Sequence, residues 1–161
     1  MGVHYSLRER LQQKVFHLVF RATRSMTLGV RALVVRDGVH GAEVWLVRHT
    51  YVRGWYLPGG GVERGETVRQ ALEKELREEG NLRLTGEPEL RGCLFNTTTT
   101  SRDHVCYFVV RECEQTAPYG SNREIAEGRW FALNQLPENL TRATRARIEE
   151  FVEGTPTPDA W

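Results

Sequence analysis

The stretch from Gly60 to Leu82, GGVERGETVRQALEKELREEGNL, changes character partway along its length. Its opening extends Pro58-Gly59 into a run of glycines, where proline ends regular strand pairing and the missing Cβ atoms let backbone approach a neighbour closely. From Thr67 onward the pattern is helical. Thr67 and Gln70 have the spacing of a capping box, in which a hydroxyl and an amide three residues later satisfy two free backbone amides. Val68, Ala71, Leu72 and Leu76 recur at helical spacing and form the stripe to be buried. Gly80-Asn81 then offers the two residue types that best tolerate the left-handed conformation after a last turn.

Glu75, Glu78 and Glu79 stand at positions i, i+3 and i+4 of this helix, so their carboxylates share one face. Like charges at that spacing cost about 0.2–0.5 kcal/mol per pair, and the helix dipole disfavours anions near the C-terminal end. Local cations offer partial relief, since Glu73 precedes Arg77 by four residues and Lys74 precedes Glu78 by four. A solvated charged face would need no more. Neither cation serves Glu75 and Glu79 together, however, whereas a hard divalent cation with oxygen ligands would relieve all three carboxylates. Joined to a glycine loop able to approach a phosphate, the acidic cluster points to phosphoryl chemistry.

Working outward, Val30–Val35 and Val44–Val47 are apolar β-branched runs joined by Asp37-Gly38-Val39-His40-Gly41, which predicts a hairpin. Trp55–Leu57 reads as a short strand, with Trp55 a core residue. Leu90–Asn96, His104–Arg111 and Gly128–Ala132 are further strands, and Thr141–Val152 is an amphipathic helix. Strands that do not alternate regularly with crossover helices predict an α/β sandwich around a mixed sheet. Leu7–Thr23 carries Leu7, Leu11, Val15, Leu18 and Val19 at helical spacing, a face that would cover the sheet or meet a second copy in a homodimer. Residues 153–161, with Pro156 and Pro158, read as a flexible tail. The expected division is therefore an N-terminal helical segment (1–27), one globular domain (28–152) and the tail.

The bulk properties exclude several classes. With 22 Lys and Arg against 21 Asp and Glu, the net charge of +1 gives no field toward a nucleic-acid polymer or an anionic membrane. Cys93, Cys106 and Cys113 lack the paired spacing of a zinc site and are expected to be buried free thiols. No secretory signal or long apolar span is read, which suggests a cytoplasmic location.

Gly60, Glu66, Glu75, Leu76, Glu78, Glu79 and Leu82 match in register the Nudix box, G-x5-E-x7-R-E-U-x-E-E-x-G-U with U a bulky aliphatic residue. The chain thus resembles the Nudix hydrolases over roughly residues 28–152, departing at Lys74, where the family has arginine, and at Asn81, where it has glycine. Lysine keeps the charge but loses the planar fork, while Asn81 or Gly80 can make the turn. Gly54 to Gly60 and Glu124 to Phe131 also resemble the family's approach strand and its late acidic loop and strand. The resemblance implies the Nudix α/β/α sandwich and a magnesium- or manganese-dependent pyrophosphohydrolase. It makes Glu75, Glu78 and Glu79 metal ligands together with the Gly60 carbonyl, and gives Glu66 and Lys74 the task of bracing loop against helix.

Relatives take the proton of the attacking water on a box glutamate or on a carboxylate of a later loop, so Glu78 and Glu124 are the candidate bases, with Glu127 behind them. Arg48, Tyr51, Arg53 and His104 are candidates for gripping substrate phosphate or base. Phe95–Thr100 contains neither the proline of ADP-ribose-preferring relatives nor the tyrosine of those preferring dinucleoside polyphosphates. Nucleoside diphosphate sugars are the preferred small-molecule substrates, with nucleoside triphosphates, including oxidised ones, as the alternative. A non-catalytic nucleotide-binding regulatory domain is a third reading. An isoprenoid diphosphate isomerase would need an acid/base pair for which Cys93 and His104 are only isolated candidates.

Overall fold

The computed structural model describes residues 26–39, 41–97 and 101–161. The expected helix Leu7–Thr23 and any dimer surface on it lie outside the described residues. In chain order the elements are β1 (Thr27–Gly38), β2 (Gly41–His49), α1 (Val68–Gly80), β3 (Leu82–Leu84), β4 (Glu89–Asn96), β5 (Asp103–Val110), β6 (Cys113–Gln115), β7 (Ile125–Ala132) and α2 (Arg142–Glu153). Five strands form one mixed sheet in the order β4-β5-β1-β2-β7. The β1–β2 hairpin is antiparallel, with Val35 opposite Val44, whereas β1 runs parallel to β5, with Val30 opposite Cys106. No helix among the described residues is long and apolar enough to cross a membrane.

The central strand β1 is covered on both faces, which accounts for its near-continuous apolar sequence. Val30, Ala32 and Val34 pack with Trp45 and Val47 against Leu72 and Leu76 of α1. The alternate residues Leu33 and Val35 pack with Val44 and Leu46 against Ile148 of α2, together with Trp55, Leu57 and Phe131. Trp55 is thus a core residue, its ring edge-on to Phe131 at 4.7 Å. Complete burial of Leu72 and Leu76 contributes about 2 kcal/mol each to holding α1 on the sheet.

Both ends of α1 follow from local sequence. The Thr67–Gln70 capping box forms reciprocally. At the other end Asn81 itself takes the left-handed conformation, with φ 51°, and returns its amide to Arg77 O at 3.0 Å. Gly80 stays inside the helix.

Two expectations are corrected, and one feature was not anticipated. β3 and β6 pair as a small second sheet that three-residue strands are too short to announce by periodicity. Cys93 is exposed on β4 directly opposite buried Cys106 on β5, because β4 is the edge strand and Cys106 lies one strand further into the sheet. The segment read as a flexible tail is docked: Phe95 N–H donates to Asp159 O at 2.8 Å, Trp161 N–H donates to Phe95 O at 3.0 Å, and the Trp161 ring meets Tyr107 at 5.9 Å. An aromatic side chain with a place in the core outweighs the two prolines that mark the segment as irregular.

Candidate active site

The glycine run is laid along β1 as an irregular strand. Ala32 N–H donates to Pro58 O at 3.0 Å, Val30 N–H to Gly60 O at 2.9 Å, and Val62 N–H to Leu28 O at 2.8 Å. Gly59 has φ 142°, and a Cβ there would lie 2.1 Å from Val30 O. A Cβ on Gly60 would lie 2.3 Å from Glu75 Oε1. Gly59 requires glycine, and the contact at Gly60 shows the Glu75 carboxylate resting directly on the loop backbone.

Glu79 is the most deeply placed acid of the helix. Its side chain is buried, Oε2 accepts the Gly59 N–H at 2.7 Å, and its carbonyl accepts the Trp45 indole N–H at 3.2 Å. Burial pushes its carboxyl up to about 7, against the pull of the Gly59 amide and Arg31, while Glu75 and Glu124 add repulsion. Glu75 is half-buried and also shifted upward, chiefly by burial; Lys74 and Arg31 lower it, and Glu78 and Glu124 raise it. Glu78 stays at the solvent edge, 3.7 Å from the Arg77 guanidinium. The three carboxylates therefore divide, two turned inward onto the glycine loop and one outward.

Glu66 and Lys74 meet as the motif implies. Lys74 Nζ lies 3.2 Å from Glu66 Oε2 and 3.8 Å from Glu75 Oε1, and Glu66 Oε2 also accepts the Glu63 N–H at 2.9 Å. That backbone hydrogen bond, with Lys74, holds the Glu66 carboxyl below its usual range.

Glu124 lies on the exposed loop before β7, near enough for its charge to bear on Glu75 and Glu79. Glu127 instead pairs with Arg48 at 3.0 Å and Arg129 at 3.4 Å. Two further residues belong to the site and were not anticipated. Arg31 acts on Glu75, Glu79 and His49, and the signal for it was a lone cation inside the apolar run of β1. His49, ending β2, has a buried Nδ1 without a hydrogen-bond partner and a pKa lowered by burial first, then by Arg31, with Glu124 opposing.

Beside His49 opens a cleft of about 650 Å³ lined by Arg48, Tyr51, Arg53, Asn139 and Thr141 among others. Three of the four expected substrate-binding residues, Arg48, Tyr51 and Arg53, share it. Tyr51 is largely exposed, with its ring 5.3 Å from that of His49. His104 is not among its lining residues: it lies on β5 opposite Phe95, ring to ring at 5.3 Å. Strand register sends it to the sheet face under α1.

Among the described residues no three carboxylate, imidazole or thiol groups converge into a formed cation site. The donor chemistry nonetheless fits a hard divalent ion. Glu75 and Glu79 hold oxygen ligands against the same glycine loop, their burial leaves negative charge in want of a cation, and Glu78 needs only a rotation of an exposed side chain to join them. The Gly60 carbonyl already accepts from Val30, leaving one lone pair, while the Gly59 N–H donates to the Glu79 carboxylate.

A mixed sheet clamped between two helices, with a glycine strand and inward-facing carboxylates at one edge, defines a class of hydrolase acting on pyrophosphate bonds. The chain belongs to the Nudix family, the NUDIX domain model matching residues 26–152. It is similar to the MutT NUDIX hydrolase of Burkholderia pseudomallei, with 26% identity, a TM-score of 0.63, and coverage of 76% of this chain and 95% of that one. A UDP-X diphosphatase shares the fold at 23% identity and TM-score 0.54, covering 92% of this chain and 77% of that one. So does the NUDIX domain of Shewanella oneidensis NrtR, solved with ADP ribose, at 19% identity and TM-score 0.66, covering 88% and 97%. Among curated proteins no sequence match is found. Nudix enzymes typically use divalent metal ions.

Proposed function

We propose that this Nudix hydrolase cleaves the phosphoanhydride of a nucleoside diphosphate linked to another moiety, with a nucleoside diphosphate sugar as the preferred substrate. The observation that carries the reading is the joining of two features at His49: the inward carboxylates with Glu124, and a cleft bearing Arg48, Arg53 and Tyr51. A diphosphate spanning the junction would meet negative ligands for its counter-ion on one side and guanidinium and aromatic groups for its outer moiety on the other.

Glu75, Glu78 and Glu79 would hold magnesium or manganese, with the free lone pair of the Gly60 carbonyl available as a fourth ligand. A bound divalent ion supplies positive charge against the diphosphate oxygens. Gly59 keeps the Glu79 carboxylate aimed, and Lys74 with Glu66 keeps the loop on the helix. Water attacks phosphorus, the bridging P–O bond breaks with its electron pair leaving on the departing phosphate, and a carboxylate takes the water proton. Glu124 is the preferred base, because Glu78 is taken as a metal ligand while the charge of Glu124 is felt by both inward carboxylates. Arg48, Tyr51 and Arg53 orient the substrate.

Nucleoside triphosphates form a second reading, supported by likeness to a MutT hydrolase. Product formation from nucleoside diphosphate sugars, dinucleoside polyphosphates and nucleoside triphosphates, with magnesium and with chelator, separates the two. Metal-dependent cleavage of the diphosphate-linked class is expected; cleavage of triphosphates alone selects the second reading, and binding without cleavage of any compound favours a regulatory domain.

A further inference from the structure

The loop before β7 is tied to the carboxylate helix by one continuous chain of hydrogen bonds. Tyr119 Oη donates to the carbonyl of Glu78 at 3.1 Å and accepts from Asn122 Nδ2 at 3.0 Å. The other end of the same amide, Asn122 Oδ1, accepts the backbone N–H of Glu124 at 2.8 Å and of Ile125 at 2.6 Å. Asn122 closes the turn with its own N–H on Ile125 O at 2.9 Å. From the far side, Thr50 N–H donates to Glu124 O and Thr50 Oγ1 to Arg123 O, both at 2.8 Å. The Tyr119 ring stands edge-on to Trp45 at 6.1 Å, and Trp45 in turn donates to Glu79 O.

Every polar end of the Asn122 side chain is therefore used, and its uses differ. An aspartate would keep the two amide contacts and lose the donor to Tyr119. An alanine would lose all of them, leaving the residue that carries Glu124 held on one side only.

We infer that Asn122, through Tyr119, is a positioning residue for the pyrophosphohydrolase reaction: it registers the Glu124 carboxylate against the helix that bears Glu75, Glu78 and Glu79. The geometry supplies the reason. Glu124 is exposed on a loop, and an unanchored loop carboxylate samples many positions, whereas a base must lie within hydrogen-bond reach of its water. The anchor runs to the backbone of Glu78, so base and acidic helix move as one body. A displacement of about 1 Å at such a site costs on the order of a hundredfold in rate. The inference rests on Glu124 as the proposed base.

The test uses the magnesium-loaded enzyme with the fastest-cleaved compound of the panel above. Asn122→Ala is expected to lower kcat by about 10- to 100-fold with KM within about twofold of wild type. Asn122→Asp, which restores the acceptor, recovers most of that loss, and Tyr119→Phe, which keeps the ring on Trp45, gives a smaller loss in kcat alone. In the double variant Asn122→Ala/Glu124→Gln the losses do not multiply, because Asn122 has nothing left to position once the base is gone. A kcat loss in Glu124→Gln combined with wild-type kcat in Asn122→Ala, or with fully multiplicative losses, overturns the positioning role alone. Wild-type turnover in Glu124→Gln removes the base assignment and the inference with it.

Discussion

The Glu79 carboxylate accepts the Gly59 amide proton at 2.7 Å, joining helix and glycine strand across twenty residues of sequence. One buried acid therefore both fixes the loop and faces the region proposed for the cation. Replacing it by glutamine keeps the shape and an acceptor for Gly59 but removes the anionic ligand. Glu79→Gln is expected to fold, with unchanged circular dichroism, and to lose about a hundredfold or more in magnesium-dependent turnover. Undiminished turnover would remove Glu79 from the metal site.

The same acid sets a pH dependence in the metal-free protein. Its folded-state pKa is raised to about 7 from 4.5, so folding favours the protonated form. The associated stability is fully present below the unfolded value and is lost as pH rises through 7, amounting to about 3 kcal/mol. Urea midpoints with chelator should fall between pH 5.5 and 8.5, and added magnesium should reverse the fall. In Glu79→Gln the slope should flatten; an equal slope in both proteins would assign it to another group.

Lys74 stands 3.2 Å from Glu66 and 3.8 Å from Glu75. Lys74→Ala should cost about 1 kcal/mol or less in stability while raising the magnesium concentration for half-maximal rate. Lys74→Arg should restore or lower that concentration, since a planar fork can hold two carboxylate oxygens. Identical magnesium dependence in all three proteins would make the contact incidental.

Arg53 lines the cleft without touching the acidic site. Arg53→Ala is expected to raise KM about tenfold with kcat nearly unchanged, the signature of binding that is equal in ground and transition states. A fall in kcat at constant KM would instead bring Arg53 to the reacting phosphate.

The thiols should separate chemically. Cys106 is buried, and burial together with the neighbouring Cys93 thiol pushes it up to about 11, whereas Cys93 is exposed. Iodoacetamide at pH 8 should modify Cys93 well before Cys106, read by peptide mass. Equal native rates would contradict the packing of β5 under α1.

Helix α1 was legible because its signals are local: a hydroxyl and an amide at its start, an asparagine at its end and an apolar stripe between. The acidic spacing and the glycine run made the site legible as a motif. What spacing does not encode is depth. Glu79 reads as one more surface acid, and its burial depends on Gly59 and on Trp45, 34 residues away in sequence. Arg31, His49 and Asn122 join the site only because the sheet brings β1, the end of β2 and the loop before β7 to one edge. The position of His104 on β5, apart from the cleft of Arg48, Tyr51 and Arg53, was hidden for the same reason, since it follows from parallel pairing with β1, a non-local contact. Trp161 sat beyond two prolines, and nothing in its neighbours reveals that the core has room for its ring.

The docking of residues 159–161 on Phe95 bears on how molecules of this protein behave in company. β4 ends the sheet, and an unpaired strand edge is a template for another molecule's strand. At Phe95 both outward backbone groups are already occupied, by Asp159 O and Trp161 N–H. The chain thus caps its own ladder at Phe95, and a version trimmed at Gly154 would bare that position and gain a tendency to self-associate on concentration or storage.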